Sequence, residues 1–130
     1  MFNILTIDLE DYFQVHAFSR AIRYEDWDKS ECRIERNTDH LLEILSLVRS
    51  PQHSKTQHSS TATVSNSLTD SPNNLLTRRV KATFFVLGWI AERYPNLVLR
   101  IQKEGHEIAC HGYAHRCVYT QSRDELRQDI

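Results

Sequence analysis

Apolar residues fall in short runs along the chain, and the spacing within each run predicts an element. Residues 2–7 (FNILTI) form a continuous β-rich run closed by Asp8. A run of that length is the pattern of a strand buried on both faces, as in a parallel sheet. Residues 12–35 scatter Tyr12, Phe13, Phe18, Tyr24 and Trp27 among charges without a clear period and read as an ordered excursion. From a cap at Asn37 or Thr38, Leu41, Leu42, Leu45 and Val48 recur at three- and four-residue spacing and predict an amphipathic helix ending near Ser50–Pro51. A second strand is expected at 80–87 (VKATFFVL), followed by a short helical stretch from Gly88 to Arg93. Pro95 then opens a helix through Lys103 or Glu104, with proline at its first position and Gly105 as its stop. Residues 106–110 (HEIAC) read as a third strand, and Ser122-x-x-Glu125 is a capping box opening a last helix with Leu126 and Ile130 on one face.

Strands alternating with helices imply an α/β fold whose parallel strands are joined by right-handed crossovers. Three such units suit an open sheet or part of a barrel, and three strands cannot close a barrel alone. Between the first helix and the second strand, residues 51–79 are rich in Ser, Thr, Asn and Gln and hold no aromatic residue. Such a stretch buries too little apolar surface to offset its ordering entropy, so it is expected to be a mobile insertion within a single domain spanning 1–130.

Composition narrows the function classes. The chain has 130 residues with 16 basic and 17 acidic side chains, a net charge of −1. No basic excess is present to hold phosphate backbones or anionic lipid, so neither nucleic acid nor a membrane surface is an expected partner. The opening MFNILTIDLEDYF lacks a positive leader region and is too short to span a bilayer. Three cysteines, Cys32, Cys110 and Cys117, form neither an even set nor a CxxC pair, which favours reduced thiols in a cytoplasmic protein.

Two polar clusters follow strands: Asp8, Glu10 and Asp11 after the first, and His111-Gly-Tyr-Ala-His115 after the third. In parallel α/β folds the C-terminal strand ends share one face, so clusters a hundred residues apart can meet. Two imidazoles and one carboxylate leave a coordination position open, the pattern of a catalytic zinc site. A bound divalent metal lowers the pKa of a water and polarises a carbonyl, and an unligated carboxylate nearby serves as general base. Taken singly the pieces are weak. Seven histidines in this length produce a His-x3-His pair by chance often enough that an exposed pair on a turn is the plainer reading, and acids at a strand end are common. Their joint position past buried strands is what favours a site. Cys110 and Cys117 flank the histidines too closely for a zinc finger, and Cys110 is expected to face the core. His106 reads as structural, while His16 and His40 have no evident partner. Phe84, Phe85 and Trp89 read as core, although Trp89 lies near a strand end where a sugar could stack.

Three blocks, ILTIDLEDYFQV, KATFFVLGWIAERYP and GHEIACHGYAH, together resemble the polysaccharide deacetylases with the NodB homology domain, nearest to the subgroup associated with bacterial exopolysaccharide loci. The resemblance spans roughly residues 2–20, 33–49 and 80–130, in the family order. It implies the N-terminal part of a distorted (β/α) barrel and metal-dependent removal of acetyl groups from N-acetylated sugars. It implies Asp8 as catalytic base, His111 and His115 as metal ligands, and zinc as the expected divalent metal. Family members commonly carry adjacent acids where this chain reads Asp-Leu-Glu-Asp, so Glu10 or Asp11 is the expected carboxylate ligand. Strand alternation puts Glu10 on the side of Asp8 and tips the choice slightly towards it, whereas Asp11 suits a chain already leaving the strand. The family's substrate-binding arginine segment and final general-acid histidine are expected beyond residue 130. The expected partner is an acetylated carbohydrate. The alternatives are an inactive metal-binding fragment, with Phe84, Phe85, Leu97 and Ile101 awaiting cover, or a hydrolase of a non-sugar amide or O-acetyl ester.

Overall fold

The computed structural model describes residues 4–48 and 79–130. Strand β1 (Thr6–Leu9) leads into three 3-10 turns, Tyr12–Gln14, His16–Phe18 and Tyr24–Lys29, and then helix α1 (Ile34–Leu47). Strand β2 (Thr83–Val86), helices α2 (Gly88–Arg93) and α3 (Pro95–Lys103) and strand β3 (Glu107–Cys110) follow, with a 3-10 turn at Val118–Thr120 and helix α4 (Arg123–Asp129) last. The expected insertion at 51–79 lies outside the described residues except for Arg79. No described helix is long and apolar enough to cross a membrane.

The sheet has the order β1-β2-β3 and both pairings are parallel. Its registers align Ile7 with Phe84 and Ile108, and Leu9 with Val86 and Cys110. The α/β class expected from the alternation is therefore the one observed. The first strand is shifted relative to the apolar run, because Asp8 and Leu9 pair within it and Ile4 is 85% exposed. Ladder partners on β2 set its extent: Thr83 N–H donates to the Leu5 carbonyl, and pairing continues to Leu9–Val86. Nor is β1 buried on both faces, since Thr6 and Asp8 are exposed opposite buried Leu9.

Phe84 of β2 and Leu87 just beyond it form the centre of the core, fully buried with Ile90, Leu97 and Ile101. Burying each such side chain contributes about 1.5–3 kcal/mol. Phe84, Leu97 and Ile101 were expected to await further cover; here they are already enclosed. Phe13, Trp27 and Trp89 form a second aromatic group with edge contacts of 5.7–5.9 Å between ring centroids. Trp89 lies within this group with Arg93 over its ring, so it offers no free face to a sugar. Cys110, expected in the core, is exposed at the end of β3.

Helix α1 begins a turn earlier than Asn37 or Thr38 predicts, with Arg33 at its N-cap and no side-chain cap of its own. The backbone N–H of Arg33 instead donates to Asp11 Oδ2, a contact across 22 residues that no local pattern encodes. Helix α3 matches its predicted limits. Beyond it Gly105 is left-handed (φ 83°), and His106 N–H donates to the Ile101 carbonyl while Gly105 N–H donates to that of Gln102. This paired closure turns the chain straight into β3 and buries His106.

The structural role expected of His106 is thus visible in its bonding. Its Nδ1 accepts from Ala82 N–H at 3.2 Å, and burial, aided by the nearby Lys81 charge, pushes its pKa below 6.5. Protonation at Nδ1 breaks that bond. The stability it confers is full above pH 6.5 and declines as pH falls below that value towards the lowered folded-state pKa. His106→Asn, whose Oδ1 also accepts, should flatten this part of a plot of melting temperature against pH. Identical slopes for both proteins would refute the assignment.

A candidate metal centre at the strand ends

Parallel pairing leaves Glu10 and His111 as the first residues beyond the paired ends of β1 and β3, and His111 N–H still donates to the Val86 carbonyl. The loop after His111 returns a second histidine to the same place. Gly112 (φ 72°) and His115 (φ 53°) both adopt left-handed backbone, and a Cβ at Gly112 would lie 2.7 Å from Asp129 Oδ2. For a non-glycine residue such as His115 that conformation is uncommon, and it persists only where surrounding contacts fix it.

Several contacts do so. Gly88 and Trp89, at the start of α2, donate their N–H groups to the carbonyls of Gly112 and Tyr113 at 2.9 and 3.1 Å. Any Cβ at Gly88 would meet the Tyr113 ring at 2.6 Å. The Tyr113 hydroxyl donates to Glu92, which pushes the tyrosine pKa up. From the other side, Asp129 of α4 accepts from Ala114 N–H at 3.4 Å, and Gln121 donates to the Arg116 carbonyl at 3.1 Å. The predicted capping box is present in α4: Ser122 and Glu125 exchange bonds, and these together with Arg116 hold the Glu125 carboxyl down at about 2.

The result is one group among the described residues. Ligand atoms of Glu10, His111 and His115 all lie within 4.8 Å of one another, and the two imidazole centroids are 4.8 Å apart. His115 Nδ1 is 3.0 Å from the Gln14 carbonyl oxygen. A carbonyl only accepts, so Nδ1 carries the proton and Nε2 keeps the lone pair. Because that proton points at Gln14, Glu10 Oε2 has no hydrogen-bond partner although it lies 3.2 Å from the same nitrogen. His111 Nε2 is likewise buried and unpartnered. Lone pairs withdrawn from water without a donor cost free energy. A divalent cation satisfies them together, and two imidazoles with one carboxylate are a donor set suited to zinc.

The other expected site residues fall differently. Asp8 is on β1 itself, exposed, one residue before Leu9 and aligned with Phe85. Asp11, the alternative carboxylate, is not in the group. It is buried as the N-cap of the first 3-10 turn, accepting from Tyr12 N–H at 2.8 Å and from Arg33 N–H. Its two oxygens both accept from backbone N–H groups. His16, expected to be without a partner, has both ring nitrogens 3.7 Å from Cys117 Sγ. Gln14, Gln121, Gly88 and Asp129 escaped the sequence reading, although Asp11-x-x-Gln14 is itself a capping-box pattern.

Asp11 and Glu10 therefore separate experimentally. Asp11→Ala should lower unfolding stability by about 2–3 kcal/mol, measured by urea denaturation, because two backbone donors lose their acceptor. Its zinc stoichiometry should stay unchanged, and a selective loss of zinc with intact stability would return Asp11 to the ligand set.

Comparison with known proteins identifies the family. A family model described as polysaccharide deacetylase matches residues 64–130. The peptidoglycan-N-acetylglucosamine deacetylase of Bacillus cereus is 47% identical over 58 residues, 45% of this chain and 21% of that protein. A chitooligosaccharide deacetylase of a Bradyrhizobium species is 41% identical over 56 residues, 40% of this chain and 26% of that protein. The peptidoglycan-N-acetylmuramic acid deacetylase of Bacillus subtilis is 35% identical over 52 residues, 40% of this chain and 20% of that protein. The chain thus spans about a fifth to a quarter of the length of these relatives. The family match takes in more than half of the chain and includes both histidines of the group, and the chain belongs to the polysaccharide deacetylase family.

Proposed function

We propose that this chain carries the metal-binding half of a carbohydrate N-deacetylase, with Glu10, His111 and His115 as ligands and Asp8 as base. The observation that carries the reading is the convergence of three ligand atoms within 4.8 Å, two of them, Glu10 Oε2 and His111 Nε2, buried and unpartnered. The relatives named for peptidoglycan glucosamine, muramic acid and chitooligosaccharide support an N-acetylated hexosamine polymer as substrate class. The opening block's resemblance to the exopolysaccharide-associated subgroup favours an exopolysaccharide among such polymers.

When bound, a divalent cation such as zinc supplies a lowered water pKa and a polarised acetyl carbonyl. The chain's own groups do the rest. Asp8, with no part in the ligand group, accepts the proton that the attacking water gives up. Water oxygen joins the acetyl carbon, the carbon–nitrogen bond breaks, acetate leaves, and the sugar nitrogen takes a proton from solvent to become an amine while Asp8 returns its own to solvent. The Gln14 carbonyl keeps Nδ1 of His115 protonated, so its Nε2 presents the lone pair.

His111→Ala and His115→Ala should each abolish tight zinc or cobalt binding in a calorimetric titration, and Glu10→Gln should weaken it. His40→Ala, an exposed position on α1, should leave it unchanged. Full zinc stoichiometry in both histidine variants would end the metal assignment. Asp8→Asn should keep the metal and lower acetate release from an N-acetylated oligosaccharide by about 100-fold or more, in protein that carries this chain. Undiminished turnover in that variant at every pH would place the base elsewhere.

A further inference from the structure

Nδ1 of His115 has two acceptors within reach, the Gln14 carbonyl oxygen at 3.0 Å and Glu10 Oε2 at 3.2 Å. The choice between them matters to both ligands. A hydrogen bond given to Glu10 ties the carboxylate to the imidazole, and a cation must then break a ligand–ligand bond to enter. Given to Gln14, it leaves Glu10 Oε2 unpartnered, as it is here. Whatever fixes the Gln14 carbonyl therefore decides whether the group is ready for a cation.

The fixing contacts lie in the first 3-10 turn, where Gln14 is 2% exposed. Its backbone N–H donates to the Asp11 carbonyl at 2.9 Å, and its Oε1 accepts from the Asp11 N–H at 2.8 Å. Backbone and side chain of Gln14 thus clasp the same residue. Asp11 is itself held by the N–H groups of Tyr12 and Arg33, and buried Phe13 packs edge-on against Trp27 and Trp89. Val15 then leaves in an extended conformation (φ −65°, ψ 129°), and its carbonyl accepts from Phe18 N–H to start the next turn. The Gln14 carbonyl is left outside both turns, against His115. Bonding in a single 3-10 turn is sparse and poorly aligned, so the side-chain bond carries much of the restraint on that carbonyl.

We propose that Gln14 is a positioning residue of the metal group. Its carboxamide, by closing the capping box with Asp11, holds the Gln14 carbonyl where it accepts from His115 Nδ1, which bares Nε2 and keeps Glu10 free for a cation. The proposal rests on the metal-dependent deacetylase reading and gives the excursion between β1 and α1 a part in it.

The test uses the full chain, isotope-labelled and free of metal, followed by NMR. In the parent, Nδ1 of His115 should bear the proton and show a coupling through the hydrogen bond to the Gln14 carbonyl carbon. Gln14→Met matches the side chain in length but offers no comparable acceptor. In that variant the coupling should vanish, and the Glu10 carboxyl carbon signal should move as Glu10 takes over the bond. Gln14→Glu, which serves the same position in a capping box, should restore both signals. Zinc affinity, titrated calorimetrically on the same three proteins, should fall about 10- to 100-fold in Gln14→Met and recover in Gln14→Glu. A parent in which Nδ1 of His115 lacks the proton overturns the proposal, whether or not either variant folds. So does a Gln14→Met protein that loses stability to urea while the coupling and the zinc affinity stay at parental values, the result of a purely structural role. If the coupling behaves as expected but the parent binds no zinc, the positioning of His115 stands and the metal reading fails.

Discussion

Two parallel hydrogen-bond ladders, one on each side of β2, are the constraint on which the site depends. Because both registers are continuous, Leu9, Val86 and Cys110 finish in one row, and Glu10 and His111 emerge beyond that row on the same side. β2 contributes no ligand. Its part is to be buried: Phe84 and Val86 lie in the core, and the two flanking strands pair against this central strand. A one-residue slip in either pairing would turn a ligand to the opposite face of the sheet.

The second histidine depends on a different kind of restraint. His115 sits on a loop with two left-handed residues, and loops of that kind have many alternatives of similar energy. Here the loop's carbonyls accept from the first N–H groups of α2, and Asp129 of α4 and Gln121 just before that helix hold it from the other side. α2, anchored in the core by Trp89 and Ile90, and the exposed α4 thus hold the loop between them.

Charge placement follows the same economy. Of the three acids near the end of β1, one is exposed on the strand, one is beside the histidines with an unsatisfied oxygen, and one is spent on backbone donors. Asp11 connects the site to α1, since the same carboxylate caps the first 3-10 turn and meets the helix N-cap. That turn in turn presents the Gln14 carbonyl to His115. Burying a carboxylate is costly unless its lone pairs are satisfied, and Asp11 meets this condition while Glu10 does not.

The sequence by itself determined the α/β class, the limits of α2 and α3, the cap of α4 and the structural role of His106. These are governed by short-range rules: periodicity, proline at a helix start, glycine beyond its end, and a serine three residues before a glutamate. It also brought forward Glu10, His111 and His115, because polar residues past apolar runs mark strand ends. Only the tertiary structure set Glu10 beside the histidines and Asp11 under backbone donors, started α1 a turn early, shifted β1 past Asp8, exposed Cys110 and enclosed Trp89 away from solvent. Most of those outcomes turn on a partner distant in sequence: Arg33 at the start of α1 for Asp11, β2 for the extent of β1, Phe13 and Trp27 for Trp89. Local pattern specifies what a residue can do, and the energy of a long-range contact specifies which of those things it does.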